Sequence, residues 1–133
     1  MTQEELMSGT YEDLLAWQKA MDLVVTIYRA THHFPDHEKF GLVAQLRRAA
    51  VSVPSNIAEG KGRVSDKELL QFLTNARGSI YEVQTQLTIA QRLGYLDEPE
   101  MSALLKESAS VGQLVNALIR SYRIVESSEM ACR

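Results

Sequence analysis

Residues 47–63 read RRAAVSVPSNIAEGKGR. Apolar residues keep helical spacing on both sides of Pro54: Val43, Leu46, Ala50, Val53 and Ile57 step by three and four. A proline inside a helix removes one N–H and sets its ring against the carbonyl four residues back, here that of Ala50. In an isolated helix that costs about 3 kcal/mol. The unbroken phase predicts a single helix over about 39–60, bent at Pro54 rather than broken. Gly60 then reads as the helix stop and Gly62 as a flexible link. The alternation Gly60-Lys61-Gly62-Arg63 invites comparison with a phosphate-binding loop. Such a loop follows a strand and carries Ser or Thr after its lysine, and neither condition holds here.

Working outward, three more segments repeat the helical pattern. Before the quoted stretch, residues 11–34 carry two neighbouring apolar stripes, Leu14-Trp17-Met21-Val24-Tyr28 and Ala20-Leu23-Ile27-Ala30-Phe34. Together they are wider than one buried face requires, so one stripe is expected to cover the core and the other to meet a second copy, with Trp17, Leu23 and Ile27 as candidate interface residues. Pro35 ends this helix, because the residue before a proline avoids the α region. After the quoted stretch, Ser65-Asp66-Lys67-Glu68 forms a capping box, opening a helix over about 65–94. Gly94 is its expected C-terminal cap. Asp97 caps the last helix, about 98–126, with Pro99 in its first turn; the tail from Ser127 lacks a pattern and is expected to fray. Four long helices with short connections predict one domain, an all-α bundle of antiparallel up-down-up-down topology.

Composition narrows the function classes. The chain has 133 residues, a formal net charge of −3 and one cysteine, Cys132. Its overall charge draws it to neither nucleic acid nor anionic lipid. A lone cysteine excludes an internal disulfide and fits a reducing compartment. The acidic start MTQEEL is unlike a secretory signal, and no apolar run is long enough to span a bilayer. A cytoplasmic protein without membrane contact is expected.

The candidate chemistry is sparse. Arg47, Arg48, Lys61 and Arg63 surround one helix and its exit and could grip the phosphates of RNA or DNA. Glu59, Asp66 and Glu68 interleave with them, and no aromatic residue stands among them to stack on bases. Placing the second and third helices antiparallel about Arg63 brings Arg48 level with Ser79 and Glu82, so an Arg48–Glu82 ion pair is expected between them. The polar residues on those two helices could equally line a pocket or an inter-subunit contact. His32, His33 and His37 lie near Asp36 and Glu38, but Pro35 interrupts the helix that would align them. No metal site, cofactor or small-molecule substrate is predicted. Ser79 lacks the strand-turn-helix setting of a nucleophile, and Glu59 with Glu82 could form a carboxylate pair whose separation the sequence does not give; an enzyme using Glu59 and Ser79 is the remote alternative, and a non-enzyme is expected.

The blocks Arg47-Arg48-Ala49, Pro54-Ser55-Asn56-Ile57-Ala58-Glu59-Gly60 and Ala76-Arg77-Gly78-Ser79 carry a resemblance. With the flanking sequence from Leu14 to about Tyr122, they resemble the family of proteins encoded in intervening sequences of bacterial 23S ribosomal RNA genes, also called the S23 ribosomal protein family. The resemblance implies a left-handed four-helix bundle and a ring-like homopentamer. It supplies a motif, Pro54, Ser55, Asn56, Glu59, Gly60, Arg77, Gly78 and Ser79, without catalytic roles.

Overall fold

The computed structural model describes Tyr11 and residues 14–131, with side chains as far as Arg123. Four helices account for most of it: α1 (Leu15–Thr31), α2 (Leu42–Lys61), α3 (Asp66–Arg92) and α4 (Glu98–Ala131). A short 3-10 turn, Asp36–Glu38, lies between α1 and α2. No strand occurs among the described residues. Each helix packs on its neighbours in sequence, α4 closes on α1, and the diagonal pairs α1–α3 and α2–α4 do not touch. Contacts across the helices run in opposite directions. Moving back along α2 from Gly60 to Ser52 matches moving forward along α3 from Phe72 to Ser79. Moving back along α3 from Gln84 to Arg77 matches moving forward along α4 from Ser108 to Asn116. These registers are consistent with an up-and-down course.

Local signals fix most helix ends. The Ser65 hydroxyl accepts from the Glu68 N–H at 3.2 Å, and Asp97 Oδ1 accepts from the Glu100 N–H at 2.9 Å. After α3, Gly94 takes φ +82°, the Gly94 N–H reaches the Gln91 carbonyl, and the Tyr95 N–H reaches that of Ala90. That is the Schellman arrangement, and it needs a residue free to enter the left-handed region. Other ends differ from the sequence reading. The first helix, expected over 11–34 with Pro35 as its stop, spans Leu15–Thr31 and ends three residues before Phe34. Lys39 and Phe40 belong to the turn before α2, and α4 stays helical to Ala131 rather than fraying at Ser127.

The helix α2 runs through Pro54 without a break. Side chains after the proline bond to carbonyls of the turn before it. Ser55 Oγ donates to the Val51 carbonyl at 2.8 Å, and Asn56 Nδ2 donates to the Ser52 carbonyl at 2.7 Å. A proline loosens the turn it enters, and these two donors hold that turn closed. Gly60 is not the helix stop. It lies buried inside α2, and Gly62 takes the capping position. A Cβ on Gly60 would come 2.9 Å from Phe72 Cβ and 3.1 Å from Leu69 Cδ1. The glycine is there for space, because α2 and α3 approach closely at this point.

Candidate interaction surface

The two stripes of α1 have different fates. Ala20, Leu23, Ile27 and Phe34 enter the core, with Leu23 and Ile27 at 0% exposure. Leu23 and Ile27 therefore cannot meet a second copy, which corrects their assignment as interface residues. Trp17 is half-buried at the rim, while Met21 and Tyr28 remain exposed. The wet stripe does not stand alone. It borders a shallow groove between α1 and α2 that runs from Trp17, Met21 and Val24, past Val51, to Tyr28 and Phe40. Phe40 is 90% exposed. Tyr11 packs edge-on against Trp17, with ring centroids 5.3 Å apart, at the lower end.

The four candidate phosphate-binding cations separate into two kinds. Arg47 is committed inside the chain. Its Nε donates to Thr31 Oγ1 at 3.0 Å and its Nη2 to the Tyr28 carbonyl at 3.2 Å, while its guanidinium lies 4.5 Å from the Tyr28 ring centroid. It thereby satisfies the C-terminal turn of α1, where a cation also opposes the helix dipole. Arg63 pairs with Glu59 at 3.3 Å and lies over Phe72, 4.7 Å from its ring centroid. Arg48 is exposed beside the groove and Lys61 is half-exposed. Thirteen residues of helix part these two, about 20 Å at 1.5 Å per residue. That is more than twice the roughly 8 Å screening length at physiological salt. The four cations do not form one patch.

The expected Arg48–Glu82 ion pair does not form within the chain. Among the described residues the ion pair is Arg63–Glu59, and both Arg48 and Glu82 are exposed. Arg48 points to the groove side of α2, and it is Ser52, one turn further on, that meets Ser79. The hydroxyls of Ser52 and Ser79 bond to each other, and Ser79 Oγ also reaches the Asn75 carbonyl at 3.2 Å. Ser79 is buried and Glu59 is turned to Arg63, so the two are not brought together as a catalytic pair. Arg77 Nη1 donates to Asn116 Oδ1 at 3.4 Å, tying α3 to α4. Gly78 faces outward, and a Cβ there would meet nothing within 4 Å. Most of the motif thus packs or bonds within the bundle.

The other end of the bundle carries a cluster the sequence reading did not single out. The Tyr95 hydroxyl donates to Glu38 Oε2 at 3.1 Å and lies 3.3 Å from His37 Nε2, while its ring packs on Phe34. Burial, followed by the Glu38 carboxylate, holds the Tyr95 phenol above its ordinary value. The cluster joins the α1–α2 and α3–α4 connections. His32 and His33 meet edge to face instead, and no three metal-ligating side chains converge among the described residues. Cys132 lies outside the described residues. No helix among those described is long and apolar enough to cross a membrane.

The fold has a solved counterpart. A crystal structure of a protein of unknown function from the S23 ribosomal protein family of Bacteroides thetaiotaomicron superposes with a TM-score of 0.74. The match covers 80% of this chain and 96% of that one, at 19% identity, a likeness of fold alone. No curated protein matches. The sequence pattern of the 23S rRNA-intervening sequence proteins matches residues 12–117, which takes in α1, α2, α3 and over half of α4. The chain belongs to the 23S rRNA-intervening sequence protein family.

Proposed function

We propose that this protein is a non-enzymatic module that works by assembling with copies of itself. The observation that carries this reading is the groove, where Trp17, Met21, Tyr28, Phe40 and Val51 expose apolar surface along one face. Contiguous apolar surface of this kind is unusual on a monomer, and its burial is worth about 25 cal/mol per Å². The family resemblance adds the number: a ring of five. The separation of Ser79 from Glu59 supports the absence of catalysis. Sedimentation velocity at micromolar concentration tests the reading. The expected mass is that of five 14.9 kDa chains, and the mass of one chain would overturn it.

A second reading, binding of single-stranded RNA or DNA, has one observation in its favour. The groove places Tyr28 and Phe40 beside Lys39 and Arg48, supplying aromatic partners that residues 47–63 themselves lack. Bases would stack on Phe40 while the two cations hold phosphate, and five copies would add avidity. Oligonucleotide binding measured against salt tests it. A steep loss of affinity with salt, removed by Phe40→Ala with Arg48→Ala, supports this reading, and no measurable binding at low salt refutes it.

A further inference from the structure

Two faces of the bundle look away from each other and carry complementary features. One is the α1–α2 groove. Its charged lining residues are Lys39, Arg47 and Arg48, and no acidic residue lines either stretch of it. The other is the outer face of α3, where Gly78, Tyr81, Glu82, Thr85 and Ile89 follow one another at helical spacing. This face lies opposite the core residues Ala76, Ile80, Val83 and Leu87. Tyr81 is nonetheless 56% exposed and Ile89 44%. Glu82 has no cation partner among the described residues. Gly78 sits mid-helix in open space, so nothing among the described residues requires a glycine there, although glycine weakens a helix relative to alanine.

We infer that the groove of one copy receives the outer face of α3 from the next copy. The inference rests on the self-assembly reading and gives it its two surfaces. Charge decides the pairing. Groove against groove would bring Lys39, Arg47 and Arg48 of both copies together, against Asp36 in the recess beside Lys39 and Arg47. The α3 face against itself, crossed at residues 78–82 where the backbone is barest, would set Glu82 near Glu82. Groove against α3 brings Glu82 to Arg48 and Lys39, with Arg92 at the far end of the α3 face, and places Tyr81 and Ile89 on the apolar lining. Gly78 then lets the α3 backbone come close to the groove rim. Because α1 and α3 are diagonal in the bundle, the two surfaces point in different directions. Such a head-to-tail contact repeats from copy to copy and closes into a ring when the rotation allows.

Two variants test this, each altered at an exposed position so that the fold is kept, with helical circular dichroism as the check. Val51→Glu places a charge in the groove, and Gly78→Trp obstructs the α3 face. Each alone is expected to sediment as a single chain. Mixed in equal amounts they are expected to form a one-to-one dimer, because each retains the surface the other has lost. A two-fold interface cannot give that result. Arg48→Glu and Glu82→Arg are each expected to lower the assembled fraction, and the double variant to restore it. If wild type assembles and either single-face variant keeps its full mass, or the mixture stays monomeric, the inference is wrong while self-assembly stands. If Val51→Glu keeps its mass and loses only oligonucleotide binding, the groove serves nucleic acid and the inference also fails. A monomeric wild type removes both.

Discussion

The close approach of α2 to α3 at Gly60 can be weighed against a second glycine in the same bundle. Gly112 lies in α4, where an added Cβ would rest 3.8 Å from Ile80 Cγ2, an ordinary contact. Replacing it by alanine gains helix propensity worth about 1 kcal/mol and strains nothing. Gly112→Ala should therefore stabilise the protein by about that amount. Gly60→Ala gains less, because Gly60 stands one residue from the end of its helix. Against that gain, its Cβ would stand 2.9 Å from Phe72 Cβ and 3.4 Å from the Leu69 carbonyl oxygen. Phe72 Cβ and the Leu69 backbone cannot turn aside as a side-chain tip can, so the helices must part. Overpacking of this kind costs about 1–3 kcal/mol. The net expectation is a loss of about 1 kcal/mol, and a difference of about 2 kcal/mol between the two variants. Urea unfolding at one protein concentration reads both through their midpoints. A Gly60→Ala protein as stable as Gly112→Ala would mean that the α2–α3 spacing is not set at this contact.

Three further outcomes follow from the same contacts. Arg47→Ala should destabilise by about 1.5–3 kcal/mol, since a charged donor is lost from two acceptors, whereas Arg48→Ala should leave the unfolding midpoint of the dissociated chain unchanged; equal effects in urea titrations would contradict the assignment of Arg47 to the end of α1. Asp97→Ala removes the cap of α4 and should cost about 1 kcal/mol, with Asp97→Asn recovering most of it. Tyr95 keeps its proton to higher pH when folded than when unfolded, so just above its ordinary value of 10.0 the folded state holds more protons and stability falls as pH rises; Tyr95→Phe should flatten that fall, and an unchanged alkaline profile would refute the link.

What could be read in the sequence was local. Ser65, Asp97 and Gly94 announce helix ends because the groups they satisfy lie within a few residues. The continuity of α2 through Pro54 was also legible, since the phase of Val53 and Ile57 does not depend on any other helix. The misreadings have a common cause in contacts between helices. Gly60 has the composition of a helix stop, but its role is set by Leu69 and Phe72 on the facing helix. The two stripes of α1 are equally apolar in sequence, and only the positions of α2 and α4 decide that Leu23 and Ile27 go inward. Arg47 and Arg48 are adjacent and chemically identical. A rotation of about 100° along the helix sends one to the end of α1 and leaves the other in water. The Ser52–Ser79 contact leaves Arg48 level with residues 82–83, as the expected Arg48–Glu82 pair required, but Arg48 turns to the groove and both side chains are exposed, so the pair fails by orientation rather than by register.

These contacts change what the family motif signifies here. Ser55 and Asn56 close the turn that Pro54 opens, Gly60 admits α3, Ser79 bonds to Ser52, and Arg77 reaches Asn116. Each of these is a demand of folding, met inside one chain. A run of polar residues that looks like a binding site in sequence is thus mostly consumed in joining α2 to its neighbours. Gly78 is the member that no contact among the described residues explains. It lies on the face of α3 where Tyr81, Glu82 and Ile89 also go unpartnered. Function is therefore better sought along the α1–α2 groove, where Pro54 and Ser55 are the motif residues in the lining, and at Gly78 on the outer face of α3.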